Sequence, residues 1–587
     1  MNVASPDPIW DLRRGDADDN RTSPAGRGWR KLTVTALLDF NYLSASIAFV
    51  LLIVAPALVL GLVPPLVVEY SRQKLDSAAL IARDPVASIA SLALFAALAI
   101  WFGKAVVSKV VDDFWHLHYT LVFPLFVSLR ELISAAAERL PPRTMTADML
   151  RRRRRFGTVL AAMLLAGGAL ALAVSVTFGG VSRYISSLHL DVWSLAITGV
   201  RNAVFILAVS TVAASLFWFW QEITSELPVR DWTPDPAATT AAPAIRVAHL
   251  SDLHFVGERY GCRMETGTSG PLGNDRIRRA LEALEAIHAA TPLDRVLVTG
   301  DVTDAGTRSE WLEFLDLLRK SPELQSRALF VPGNHDVNIV DRTNPGRFDV
   351  PWSSGWALRK LRVVLALDAI QGRSVHLVDR KSGGVGPTLH DYLRQRDWPA
   401  RLQSLAEHGS WRGRHNIAAV WDEIFPLIAL PPAGGGYGVI LLQTNARRYF
   451  SLTNAIGIVD RPQLAVLRQI LRKMPCPGWI ILLHHHLVEY PIRSIGLKER
   501  IGVALINAPD VLKAIASSRS PVLVLHGHRH RDWIGARGNV VICSAPSVTF
   551  GSKNAKDVRE GSFHVHDILV RDEGGVSLIR SERVMVA

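Results

Sequence analysis

Four long apolar runs in the first 220 residues limit what this chain can become. They cover residues 43–68, 86–103, 156–180 and 202–220 and are almost wholly apolar. Each holds about 18 or more residues, enough to cross a ~30 Å hydrocarbon core as a helix. Core helices of soluble domains rarely show such runs, and four in one half of a chain exclude an evenly soluble protein. Residues 36–221 are therefore expected to form a membrane region with about four transmembrane helices. The first run starts too late, and runs too long, for a cleavable signal peptide. A fifth stretch, 117–132, contains His118, Pro124 and Arg130 and reads as an amphipathic or interfacial helix.

Charge sets the expected orientation. The N-terminal segment 1–35 carries Arg13, Arg14, Arg21, Arg27, Arg30 and Lys31. The loop between the second and third runs carries Lys104, Lys109, Arg130, Arg139, Arg143 and the arginine run 151–155. The two remaining loops are poorer in basic residues, with Arg72, Lys74 and Arg83 in one and Arg183 in the other, where Arg201 directly precedes the fourth run. Basic loops stay cytoplasmic, so four spans would leave both termini there. The expected location is the cell inner (plasma) membrane, multi-pass, with the C-terminal half cytoplasmic. The arginine run reads as a topology determinant, with anionic headgroups as a sharper alternative.

Mean hydropathy is +0.18 over 587 residues, and this average conceals two textures. Residues 1–240 carry 22 basic and 19 acidic side chains, and the remainder 44 and 34, so most of the +13 lies in the second half. Three Cys exclude a disulfide scaffold and a Cys-rich zinc module. Cys262, Cys476 and Cys543 lack a paired spacing and read as reduced and structural. Residues 222–244 are rich in Pro, Ala and Thr and read as a linker. From Ile245, strand-like runs alternate with helical stretches near 276–290 and 308–320. That alternation predicts an α/β domain over 245–587.

Five short blocks in this domain follow apolar, strand-like runs. They are Ser251-Asp252-Leu253-His254, Gly300-Asp301-Val302-Thr303-Asp304, Gly333-Asn334-His335-Asp336, His484-His485-His486 and Gly527-His528-Arg529-His530. Loops at strand ends are where α/β folds place their sites. A mixed set of about seven nitrogen and oxygen ligands is too many for one tetrahedral ion. It suits two ions that share a carboxylate, and Asp301 is the natural bridge. Such a pair can hold a hydroxide and clamp a phosphoryl group for in-line attack.

The ordered set D-x-H, G-D-x-x-D, G-N-H-D, His block and G-H-x-H resembles the signature of calcineurin-like metallophosphoesterases over about 245–550. The resemblance implies a four-layer α/β/β/α domain and two divalent metal ions, Mn, Fe or Zn. It implies Asp252, His254, Asp301 and His530 as ligands of the first metal. It implies Asp301, Asn334, His485 and His528 as ligands of the second. His335 would be the proton donor to the leaving group, Asp336 would orient His335, and Asp304 would stand behind the ligands. Family members often read His-His-Pro at the fourth block, whereas here Leu487 follows His486. His485 is favoured as the ligand, then His484. Segment 441–457 also resembles the family's strand and loop before the metal histidine, with Asn445 in a usual polar position. His116, His118, His249 and His288 read as surface or core histidines.

An insertion at about 341–437 contains Trp352, Trp356, Trp398, Trp411 and Trp421 with interleaved arginines. It reads as a small helical subdomain packing its own tryptophans, or as a lid that selects substrate. The expected activity is hydrolysis of a phosphomonoester, phosphodiester or pyrophosphate bond at a bilayer. The G-N-H-D block, where Ser/Thr phosphatases read G-N-H-E, argues against a protein phosphatase. Expected partners are a phosphate-ester substrate and the lipid bilayer, with nucleic acid disfavoured. The competing class is a membrane sensor whose phosphoesterase-like domain binds a phosphorylated ligand without turnover.

Overall fold

The computed structural model of the protein describes residues 49–62, 64–65, 69, 122–140, 147–179, 184, 191–224, 229–233, 245–257, 273–338, 354–395, 398–431, 436–446, 455–490, 505–551, 560–571 and 574–586. The apolar run 86–103 lies outside these residues, as do His116, His118 and Cys262. The run 43–68 is helical over 49–62. The last two runs lie in helices α2 (Ala147–Phe178) and α3 (Val192–Ile223). Among the described residues, two helices are long and apolar enough to cross a membrane, rather than the four expected: Arg152–Phe178 and Val192–Ile223. Asp191 starts α3 by accepting from the backbone N–H groups of Trp193 at 2.8 Å and Ser194 at 2.9 Å.

The stretch expected at 117–132 is helix α1, Phe123–Arg139. Pro124 occupies its first turn, where a missing N–H costs no helical hydrogen bond. Phe126 of α1 stacks on Trp218 of α3 at 4.0 Å. These rings share one buried cluster with Ala446, Ile456 and Ile506 of the C-terminal half. Arg153 and Arg154 of the 151–155 run are engaged by protein. Arg153 donates to the carbonyl oxygens of Ala137 and Leu140 at the end of α1, each at 2.7 Å. Arg154 reaches Glu138 at 3.4 Å and the carbonyl of Tyr490.

The C-terminal half is built on two mixed sheets. The five-stranded sheet has the order β14 (Val576–Val586), β13 (Gly561–Val570), β2 (Ile245–Leu250), β3 (Arg295–Val298), β4 (Ala328–Phe330). The nine-stranded sheet runs β1 (Arg230–Asp231), β11 (Trp533–Arg537), β12 (Val540–Ser544), β10 (Val522–His526), β9 (Trp479–Leu482), β8 (Gly438–Leu441), β7 (Leu427–Ala429), β5 (His376–Val378), β6 (Val385–Thr388). Strands β2, β3 and β4 are parallel, as are β8, β9, β10 and β12.

Side-chain alternation explains why these strands read as unbroken apolar runs. Ile480, Leu482, Leu523 and Leu525 face one core, while Trp479, Ile481, Val522 and Val524 face another. A sheet buried on both faces has no polar side to show. Helices α4 (Asp275–Ala290) and α5 (Arg308–Leu318) join the first core through Ile277, Leu284, Trp311 and Phe314. The second core receives Leu467, Ile470, Leu512 and Ile515 from two later helices.

The insertion is not a separate subdomain. It adds β5, β6 and β7 to the nine-stranded sheet. Its helix α6 (Gly355–Gln371) and its Trp398 and Trp421 enter the first core. Nor is the linker featureless, because Arg230 and Asp231 pair with Ala536 and Gly535 of β11.

Candidate metal centre

Parallel strands present their C-terminal ends together, so the loops after β2, β3, β4, β9 and β10 gather their polar residues at one place. Asp252, His254, Asp301, Asn334, His335, His484, His528 and His530 are between 0% and 8% exposed. Donor atoms of Asp252, His254 and His530 lie within 4.8 Å of one another, as do those of Asp301, His484 and His528, and those of His254, Asp301 and His335. Asp301 thus belongs to two of these groups, and His254 links it to the third. Its Oδ2 is 3.3 Å from His484 Nε2 and 4.0 Å from His254 Nε2. His530 Nε2 lies 3.2 Å from Asp252 Oδ1.

The fourth block differs from expectation. His484 Nε2 approaches Asn334 Oδ1 at 3.0 Å and His528 Nδ1 at 3.1 Å. His484 Nδ1 is held by the Thr299 carbonyl at 2.7 Å. His485, favoured by the sequence, turns aside and gives its Nδ1 to Thr444 Oγ1 at 2.7 Å. The geometry therefore brings His484, not His485, to Asp301. His486 points elsewhere, toward Glu489 at 3.8 Å.

Asp336 also departs from its expected role. Its carboxylate accepts from the backbone N–H groups of Val302, Thr303 and Gly333 at 3.2, 2.8 and 2.8 Å, and from Thr303 Oγ1 at 2.6 Å. It knits the Asp301 and Asn334 loops together and makes no bond to His335. The orienting partner is the Asp304 carbonyl, 2.7 Å from His335 Nδ1. A carbonyl can only accept, so Nδ1 carries the proton and Nε2 is left to take up or release one. The Asp304 carboxylate lies 3.3 Å behind His254 Nδ1, the outer position expected of it.

Backbone conformation marks the same residues. Among the described residues, the non-glycine positions with positive φ are Asp252, His254, Asp301, His528 and His530, at 53°, 51°, 50°, 72° and 48°. Left-handed backbone costs an ordinary residue of order 1 kcal/mol and clusters at functional sites. Gly300 precedes Asp301 at φ 96°, where a Cβ would come within 2.5 Å of His484 Nδ1. A Cβ at Gly333 would collide with Asp301 itself.

The donor set fits cations. Burial raises the carboxyl of Asp301, but His484 and His335 outweigh it and hold that group well below the ordinary range. Burial lowers His484, yet Asp301 overrides this and lifts it to about 9. Burial drives His528 well below its ordinary value, with His485 and His484 adding to the effect. Two imidazole nitrogens 3.1 Å apart match the edge of a tetrahedral zinc shell, about 3.3 Å for ~2.05 Å bonds.

Two contributors were not singled out from sequence. Thr444 sits in the segment after β8 and fixes His485. Phe550 lies against His530 at 5.5 Å and His254 at 5.1 Å; nothing in its sequence surroundings signals this.

A two-sheet α/β domain with metal-ligand clusters at its strand ends is the architecture of a metallophosphoesterase. Residues 245–532 match the calcineurin-like phosphoesterase family, and that part of the chain is a domain of this family of phosphoester hydrolases. A Coxiella burnetii protein named "probable cyclic nucleotide phosphodiesterase" is 30% identical over 105 residues, 18% of this chain and 37% of that protein. The chain thus spans well under half of that relative's length. A dimetal phosphatase from Danio rerio superposes with a TM-score of 0.32 at 12% identity, covering 59% of this chain and 100% of that one. A calcineurin-like phosphoesterase from Bacillus subtilis gives 0.27 at 11% identity, covering 59% and 91%.

Proposed function

We propose that the protein is a membrane-attached, metal-dependent phosphohydrolase, a phosphodiesterase or phosphomonoesterase, with its catalytic domain on the cytoplasmic side of the inner membrane. The observation that carries this reading is Asp301, shared by two ligand groups and held ionised by His484 and His335. Asp252, His254, Asp301 and His530 would hold one divalent ion. Asp301, Asn334, His484 and His528 would hold a second, and Mn, Fe and Zn all suit such donors. Two ions so placed would supply Lewis acidity toward a phosphoryl group and acidify water at neutral pH.

The chain's own residues supply the rest. His335 keeps Nδ1–H on the Asp304 carbonyl and offers Nε2 to the leaving oxygen as a proton donor. Its backbone N–H donates to Asp301 Oδ1 at 2.8 Å, which ties the proton donor to the shared carboxylate. Asp336 holds both loops in register from below. The Coxiella relative's name makes cyclic nucleotides the first phosphodiesters to test, alongside lipid-linked phosphates.

Membrane attachment rests on α2 and α3. Their apolar segments of 27 and 32 residues would each span more than 30 Å at ~1.5 Å per residue. Only 17% and 33% of their most apolar windows are buried by protein. The arginine run 151–155 lies at the end of the first segment on the side read as cytoplasmic.

His335→Ala in the full chain, purified in detergent, tests the mechanism. The expected loss in kcat on an aryl phosphodiester is about 10²- to 10⁴-fold, with bound metal retained. Full activity in that variant would overturn the role of His335.

A further inference from the structure

A second histidine cluster lies outside the centre described above. Strands β2 and β13 are antiparallel, and His249 stands directly opposite His564. His566 lies two residues further along β13, on the same face. The three side chains are 0%, 2% and 0% exposed. A nitrogen from each lies within 4.8 Å of the others.

From these positions we infer a third metal site, a structural zinc ion held by His249, His564 and His566. The donor atoms can be assigned from the surroundings. His249 Nδ1 faces His566 Nε2 at 3.3 Å, the separation of two ligands on a tetrahedral zinc with bonds of ~2.05 Å. His249 Nε2 is 3.0 Å from Thr299 Oγ1, and His564 Nε2 is 3.0 Å from Asp532 Oδ1. Arg583 braces that carboxylate at 3.3 Å. Metal-binding histidines usually give their far nitrogen to such an outer partner. This leaves His249 Nδ1, His564 Nδ1 and His566 Nε2 for the ion.

Unbridged, the arrangement is costly. Among the described residues, His564 Nδ1 and His566 Nδ1 are buried without a hydrogen-bond partner. A buried polar atom left unpaired keeps the full cost of its lost hydration. Binding an ion through His564 Nδ1 removes one of these orphans directly. The donors are all nitrogen, whereas the Asp301 centre mixes imidazole with carboxylate and amide oxygen, and a nitrogen-only set favours zinc over manganese or magnesium. An ion here would clamp β13, and with it the β13–β14 hairpin, onto β2, the strand whose following loop carries Asp252 and His254.

Zinc counting on the full chain in detergent tests this, after metal stripping and zinc reloading. Wild type is expected to hold about three ions per chain and His566→Gln about two. Asp252→Asn/Asp301→Asn impairs the other centre. It should keep about one zinc, with an imidazole-only X-ray absorption signature and no carboxylate ligand. Equal zinc in wild type and His566→Gln overturns the site. So does absence of imidazole-bound zinc from the double variant, which decides alone if His566→Gln fails to fold.

Discussion

The chain contains two kinds of apolar surface. Strands β9 and β10 and helices α2 and α3 draw on the same residue types. Ile480, Leu482, Leu523 and Leu525 are 0% exposed, whereas Phe178 and Val192 are 79% and 83% exposed. In the sheets the apolar atoms find partners within the protein. On the helices most of them stay uncovered among the described residues, apart from the Ala161, Ala162, Ala214 and Trp218 cluster, and contiguous apolar surface of that extent marks an interaction with something other than water. Hydrophobicity alone therefore does not separate core from uncovered apolar surface; run length and what is left exposed do.

That contrast can be pressed experimentally. In the buried half, Asp301→Asn removes the charge shared by both ligand groups. Turnover should fall by about 10³ or more, while far-UV circular dichroism stays native. Retained turnover would remove Asp301 from the reaction.

Glu310 probes the cost of burial in the same half. Its Oε2 accepts from the backbone N–H groups of Ala305 at 3.0 Å and Thr307 at 2.9 Å. Burial and the neighbouring Asp304 push its carboxyl up to about 8. A folded value above the ordinary 4.5 favours the protonated form, so its contribution is complete below pH 4.5 and fades as pH rises to about 8. Glu310→Gln keeps the acceptor and removes the titration. At pH 9 the variant should be the more stable, by up to ~4 kcal/mol, and thermal unfolding across pH should show a flatter profile. A parallel profile would refute the assignment.

The exposed half responds to a different substitution. Leu170 is 55% exposed on α2, and Leu170→Arg should cost ~2.5–3.5 kcal/mol of insertion at mid-bilayer. Carbonate-washed membranes should then retain less protein, while Leu→Arg at an exposed site of a soluble helix changes no partition. The smallest effect separates neighbouring histidines. His484→Ala should lower metal affinity by more than 100-fold. His485→Ala, at a supporting position, should cost about 10-fold. The reverse order would restore His485 as the ligand.

The residues of the candidate centre were legible as a group because strand ends and ligand chemistry coincide in the sequence. The five blocks named Asp252, His254, Asp301, Asn334, His335, His528 and His530, and the fold gathers all seven. The choice within 484–486 was not legible. Beyond the end of β9 the alternation of faces lapses, and loop torsions decide which ring turns inward. Asp336 misled through proximity. It follows His335 on one helical turn, Asn334–Val337, where adjacent side chains do not face each other. The left-handed backbone at Asp252 and His528 carries no sequence mark, because neither residue is glycine. The insertion's strands are three or four residues long, too short for periodicity to register.

Glu489 follows the histidine triplet and meets Arg529 at 3.2 Å and Arg130 of α1 at 3.6 Å. One carboxylate thus stands between the G-H-R-H loop and the helical region, beside the apolar contact made by Ala446, Ile456 and Ile506. The hydrolase domain is accordingly no passenger on a tether. Severing the chain within 234–244 would strip away a basic neighbour and bare a greasy seat beside the triplet, so the smallest faithful unit for biochemistry retains α1 to α3.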